Sequence, residues 1–124
     1  MKLLLDTHIF LWAIADPGRL SVAQRREIED PTNTIYLSAV SVSELVIKAS
    51  LGKLSLDFDL LAIAEKSGFE PLDFSAKDAL LLKDLPFHHR DPFDRMLIAQ
   101  AQARDLFIAT QDPTFALYNC RVLS

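Results

Sequence analysis

The chain has 124 residues, enough for one domain over residues 1–124 and too few for two. Half of the residues are hydrophobic and 24% are charged, which excludes a disordered chain and calls for a packed core. The formal net charge of −4 argues against a protein that grips nucleic acid by overall basicity, so any such contact needs a local basic patch or bound cations.

Cys120 is the only cysteine, so no internal disulfide can form and a reducing, cytoplasmic compartment is expected. Met1, Lys2 and the apolar residues after them loosely resemble a secretory signal, but Asp6 and His8 break the run such a signal needs. No stretch approaches the ~20 apolar residues that cross a bilayer, so no membrane partner is expected.

Residues 2–5 form a short apolar run that reads as a buried strand. A helix over 7–15 follows and is stopped by Asp16-Pro17-Gly18. Ser21 can cap a second helix running to Asp30, and the β-branched and aromatic run 34–37 is a second strand. Ser41 and Glu44 have the spacing of a capping box, which predicts a helix from there to about Leu51 with Gly52 as its stop. Residues 59–67 read as a helix ended by Gly68. Residues 69–74 read as a strand that Pro71 confines to a sheet edge. A helix over 75–82 comes next. The strongest helical period is 93–104, with Phe93, Leu97 and Ala101 on one face and Ile98 beside them. Short strands at 106–109 and 121–123 close the chain. Strands alternate with helices throughout, so the fold class is α/β with a mostly parallel sheet covered on both faces.

Ligand sites in such sheets lie off the carboxyl ends of the strands. Asp6 ends the first strand, and Glu44 lies in the first turn expected for the helix after the second. Asp112 follows the 106–109 strand, and Asp94 lies in the first turn of the helix feeding it. Four acids from distant segments thus converge on one edge. Like charges ~4 Å apart repel by roughly 4 kcal/mol at an effective dielectric of 20, so the cluster calls for spreading, protonation or cations. Carboxylates without clustered Cys or His favour Mg²⁺ or Mn²⁺ over zinc.

Each acid also has a structural role open to it. Asp6 can cap the helix after it, and Asp112 can cap a turn before Pro113. Asp94 can favour its helix dipole, and Glu44 can pair with Ser41 or with Lys48 at i,i+4. Asp91 fits an N-cap, with Pro92 at the first helical position. His89, Arg90, Arg95, Lys48 and Lys53 are candidate phosphate contacts near that edge, or else solvated side chains. Trp12 with Phe10 and Ile9 reads as core or interface before it reads as a base-stacking platform.

Four segments carry a family resemblance. They are Leu3-Leu4-Leu5-Asp6-Thr7-His8; residues 41–48 with Gly52-Lys53-Leu54; His89-Arg90-Asp91-Pro92-Phe93-Asp94-Arg95-Met96-Leu97-Ile98-Ala99-Gln100-Ala101; and Ala109-Thr110-Gln111-Asp112-Pro113-Thr114-Phe115. Together the chain resembles the PIN-domain family, and within it the short VapC-like toxins, over residues 2–123. The third segment is the most specific. Ser43 departs from the pattern, since relatives often carry an aromatic before the glutamate.

The resemblance implies a three-layer α/β/α sandwich with a five-stranded sheet. It implies Mg²⁺- or Mn²⁺-dependent cleavage of RNA by an acidic quartet of Asp6, Glu44, Asp94 and Asp112, with Thr7 and Thr110 orienting them. It also implies a homodimer and a cognate VapB-like antitoxin that blocks the acidic cleft. The competing readings are a phosphotransfer enzyme, a receiver-like module and a catalytically silent interaction or RNA-binding domain. The first is disfavoured because His8 stands where an Asp-x-Asp arrangement needs its second acid, and the second because one acid alone follows the first strand.

Overall fold

The computed structural model describes residues 1–124. Five strands, β1 (Lys2–Leu5), β2 (Thr34–Ser38), β3 (Phe69–Leu72), β4 (Phe107–Ala109) and β5 (Arg121–Leu123), form one sheet in the order β3-β2-β1-β4-β5. Every pairing is parallel, with Leu4 beside Tyr36 on one side and Ile108 on the other. The helices are α1 (Thr7–Ala15), α2 (Val22–Glu29), α3 (Ala39–Ser50), α4 (Leu60–Lys66), α5 (Ala76–Leu80) and α6 (Pro92–Arg104). No helix is long and apolar enough to cross a membrane.

The period-2 alternation of the strands splits the core in two. Leu3, Leu5, Ile35, Leu37 and Ala109 pack with Ile9 and Phe10 of α1, Leu45 of α3, and Leu60 and Ala64 of α4. Leu4 and Ile108 point the other way, to Leu97, Ile98 and Ala101 of α6 and to Phe115. Helices thus cover both faces, and the result is a three-layer α/β/α sandwich, as the family resemblance implies. Pro71 sits on edge strand β3, where a missing N–H costs no ladder bond to a second neighbour.

Two local expectations are corrected. The helix after β2 starts at Ala39, because Ser38 ends the strand and at once caps the helix, its Oγ accepting from Val40 N at 3.0 Å. Ser41 is therefore an interior, fully buried residue and not a cap, and Glu44 falls in the second turn. The expected helix over 75–82 stops at Leu80 and tightens into a 3₁₀ turn, Leu81–Asp84. Gly52 and Gly68 stand at positive φ just past α3 and α4, the left-handed stop that glycine adopts without strain.

Candidate metal centre

Parallel strands deliver their carboxyl ends to one edge, and the four acids stand there or on the helices that start there. Asp6 follows β1 and caps α1, its Oδ1 accepting from Ile9 N at 2.8 Å. Its Oδ2 accepts from the Thr110 hydroxyl. Burial pushes the Asp6 carboxyl above the usual carboxylate range; the Thr110 and Ile9 bonds and His8 pull the other way, and Asp112 adds repulsion.

Glu44 is buried on α3. Its Oε1 accepts from the Thr7 hydroxyl at 2.7 Å, and its Oε2 pairs with Lys48, one turn on. Ser41 Oγ lies 3.0 Å from the same Thr7 hydroxyl. The bond to Glu44, above all, raises the Lys48 ammonium pKa.

Asp94 is the third residue of α6, beside the positive end of that helix. Burial first, then the Asp91 charge and the more distant Asp6 and Glu44, push its carboxyl up to about 7, although His89 opposes them. Asp112 caps the 3₁₀ helix Pro113–Leu117, its Oδ1 accepting from Thr114 N at 2.9 Å. Burial would raise its carboxyl, but the Thr114 and His89 hydrogen bonds outweigh burial and hold it below the usual range.

His89 joins this group. Its Nε2 lies 2.8 Å from Asp112 Oδ2 and 3.1 Å from Asp94 Oδ2, and the ligand atoms of the three residues all fall within 4.8 Å of one another. The Asp91 backbone N–H donates to His89 Nδ1 at 3.1 Å. An acceptor Nδ1 leaves the proton on Nε2, so His89 acts here as a hydrogen-bond donor clasping two carboxylates and not as an open ligand nitrogen. Sequence reading placed His89 among phosphate contacts and missed this clasp. The available signal was its position two residues before an N-cap whose helix opens on the site.

Asp91 spends Oδ1 on the N–H groups of Phe93 (2.8 Å) and Asp94 (3.2 Å), which fixes the first turn that carries Asp94. Thr110 ties two acids together, since its hydroxyl donates to Asp6 and accepts from Asp112 N at 3.1 Å.

Gln24 is a second omission from the sequence reading. It is fully buried, and its Nε2 donates to Thr110 O and Leu123 O, both at 3.0 Å. Its carbonyl accepts from Ser21 N, so in sequence it reads only as half of a capping box.

The basic candidates divide. Arg90 and Lys53 are exposed, while Lys48 is committed to Glu44. Arg95 is a correction: it is buried, with Nη1 donating to Pro86 O at 2.7 Å and Nη2 to Leu85 O at 3.1 Å. Its guanidinium braces the loop before α6 and is not presented to a ligand. Trp12 packs against the core below His8, with Arg19 4.6 Å from its ring.

Four hard carboxylates stand on one edge; Asp94 and Asp112 come together with His89, while Glu44 and Asp94 accept no backbone N–H and Asp94 is pushed to about 7, so the edge fits a divalent cation better than the acids fit each other. The sequence matches the PIN domain over residues 3–119. The chain belongs to the PIN-domain family.

Solved structures agree with this PIN fold. A chain of Rickettsia felis VapBC2, bound to a promoter DNA fragment, superposes with a TM-score of 0.75 at 21% identity, covering 99% of this chain and 98% of that one. DNA-bound VapBC from Salmonella typhimurium gives 0.72 at 21% identity, covering 99% and 97%. VapBC-1 from nontypeable Haemophilus influenzae gives 0.72 at 16%, covering 100% and 98%. No curated protein matches the sequence.

Proposed function

We propose that this PIN-domain protein is a metal-dependent endoribonuclease and the toxin of a VapBC-type pair. The observation that carries the reading is the grouping of Asp94 and Asp112 with His89 at the sheet edge where Asp6 and Glu44 also stand, with the Asp94 carboxyl pushed up to about 7 by burial first and by the neighbouring acids second. The family match and the likeness to VapBC structures support it.

In this reading those four carboxylates hold Mg²⁺ or Mn²⁺, which supplies an activated water and a positive charge facing the phosphodiester. The chain's own residues prepare the site. Thr110 and Thr7 fix one oxygen each on Asp6 and Glu44, so these ligands need little reorganisation. Lys48 offsets the second Glu44 oxygen. His89 carries an Nε2 proton next to Asp94 and Asp112, within reach of an oxygen brought to them. The partners proposed are an RNA substrate, a VapB-like antitoxin over the acidic edge and a second copy of the chain.

Purified protein is expected to cleave RNA with Mg²⁺ or Mn²⁺ and to stop in EDTA. Induced expression without antitoxin is expected to arrest growth, and Asp6→Asn to relieve the arrest at equal abundance. Robust cleavage after all metal is stripped sinks the metal mechanism; an equally toxic, folded Asp6→Asn removes Asp6 from it.

Asp91 and Asp94 are expected to separate by experiment. Asp91→Ser keeps a capping oxygen and should retain cleavage, whereas Asp91→Ala should lose ~0.5–2 kcal/mol of stability with the cap. Equal losses of cleavage and Mn²⁺ affinity in Asp91→Ser and Asp94→Asn would make Asp91 a ligand as well.

A further inference from the structure

The loop between the 3₁₀ turn and α6 displays a phenyl ring to solvent on a backbone that is pinned. Phe87 is 82% exposed. Tyr118 OH donates to Pro86 O at 2.8 Å and accepts from His89 N at 2.7 Å, and Arg95 donates to Leu85 O and Pro86 O. The loop is thus held on both sides of the ring. One face of the ring lies against the Arg95 guanidinium, 4.0 Å from its centroid. That contact sets the plane of the ring and leaves the other face open.

We propose that Phe87 is a stacking platform for a base of single-stranded RNA next to the phosphodiester held at the acidic edge; the inference rests on the nuclease reading above. Position argues for it. Phe87 is two residues from His89, hence within about 7 Å along the backbone of the residue that touches Asp94 and Asp112. Charge argues for it too. A chain of net charge −4 gains little from counterion release, so its affinity for RNA must draw on uncharged contacts, of which base–aromatic stacking is the strongest. The exposed Arg90 beside His89 supplies a local cation for a backbone phosphate. Paired bases present no free face, so the ring selects loops, bulges and unpaired ends. Because the loop is already ordered, stacking costs little conformational entropy. The rival occupant is a protein side chain, since Leu81, Pro86 and Leu117 line a shallow cavity nearby.

Binding of a short fluorescein-labelled oligoadenylate, and of an abasic strand of equal length, is to be measured in an Asp94→Asn background with and without Phe87→Ala, Phe87→Leu or Phe87→Trp. Cleavage of a single-stranded RNA is to be followed with the same Phe87 changes in the otherwise unaltered protein. Alanine and leucine should weaken oligoadenylate binding about five- to a hundredfold and leave the abasic strand unaffected, while tryptophan should bind at least as well as phenylalanine. KM for cleavage should rise by a similar factor with kcat little changed. The inference is overturned if Phe87→Ala binds oligoadenylate like its parent, or loses both strands equally. A changed mass in light scattering with unchanged RNA binding overturns it in favour of a protein contact. A protein that cleaves with Mn²⁺ but ignores Phe87 overturns this inference alone, whereas a parent that neither binds nor cleaves RNA overturns the nuclease reading with it.

Discussion

Asp94→Asn is expected to raise the melting temperature of the metal-free protein at pH 8 while abolishing metal-dependent cleavage. The Asp94 carboxyl sits at about 7 in the fold against an ordinary value of 3.8, chiefly through burial and then through the Asp91 charge. An acid with a raised folded pKa holds more protons folded than unfolded between the two values, so its stability contribution is complete below pH ~4 and is lost as pH climbs to ~7. At pH 8 the ionised carboxylate costs a few kcal/mol, less than the ~4 kcal/mol of an unscreened shift because part of the group faces solvent, and asparagine removes that cost while still accepting from His89. For a chain of this size each kcal/mol corresponds to about 4 °C. Added Mn²⁺ should narrow the gap, stabilising the parent by ~2.7 kcal/mol at a hundred times its Kd and the variant far less. The gain of the metal-free variant should vanish at pH 4, where both forms are neutral. A variant that melts lower than its parent at pH 8, or that still cleaves, contradicts the role assigned to Asp94.

Arg95→Ala is expected to lose about 2–4 kcal/mol of stability, because it leaves the Leu85 and Pro86 carbonyls without their charged donor. Hydrogen exchange at the His89 amide should quicken, since the loop would then hang on Tyr118 alone. Arg95→Lys should recover less than half of the loss, because one ammonium cannot reproduce a fork that reaches two carbonyls. An arginine that met phosphate instead would leave stability unchanged and lower the salt dependence of RNA binding by about one unit of slope. The two outcomes do not overlap, so thermal melts and a salt series decide between them.

Much of the site was legible because of topology. A parallel sheet sends the ends of β1 and β4 and the starts of α3 and α6 to one edge, so the shared edge of Asp6, Glu44, Asp94 and Asp112 could be read from chain order, whereas the close grouping of Asp94 and Asp112 with His89 could not. The cap at Asp91 was legible as well, because N-capping is local chemistry written in the Asp91-Pro92 pair. The start of α3 was not. Ser38 and Ser41 both carry a capping hydroxyl, and the choice fell to Ser38 because Ser41 is needed inside, against Thr7.

What the sequence determined by itself, then, was whatever depends on spacing: the alternation that gives strands two apolar faces, the helical stripe of α6, and the edge on which the acids gather. The tertiary structure decided which polar side chains are spent on the fold and which are left for chemistry. Arg95 and Arg90 look alike in the chain, yet one braces two carbonyls and the other is exposed. Gln24 completes a local capping box with Ser21, and its amide also crosses to the far end of the chain to hold Thr110 and Leu123, which no local pattern announces. His89 reads as a loop cation, yet a backbone N–H two residues on sets its tautomer and turns it into a donor between two carboxylates. Each outcome depends on partners distant in sequence or on the burial of a single atom. A buried polar atom must find its hydrogen bond wherever the fold offers one, and no local pattern records where that is.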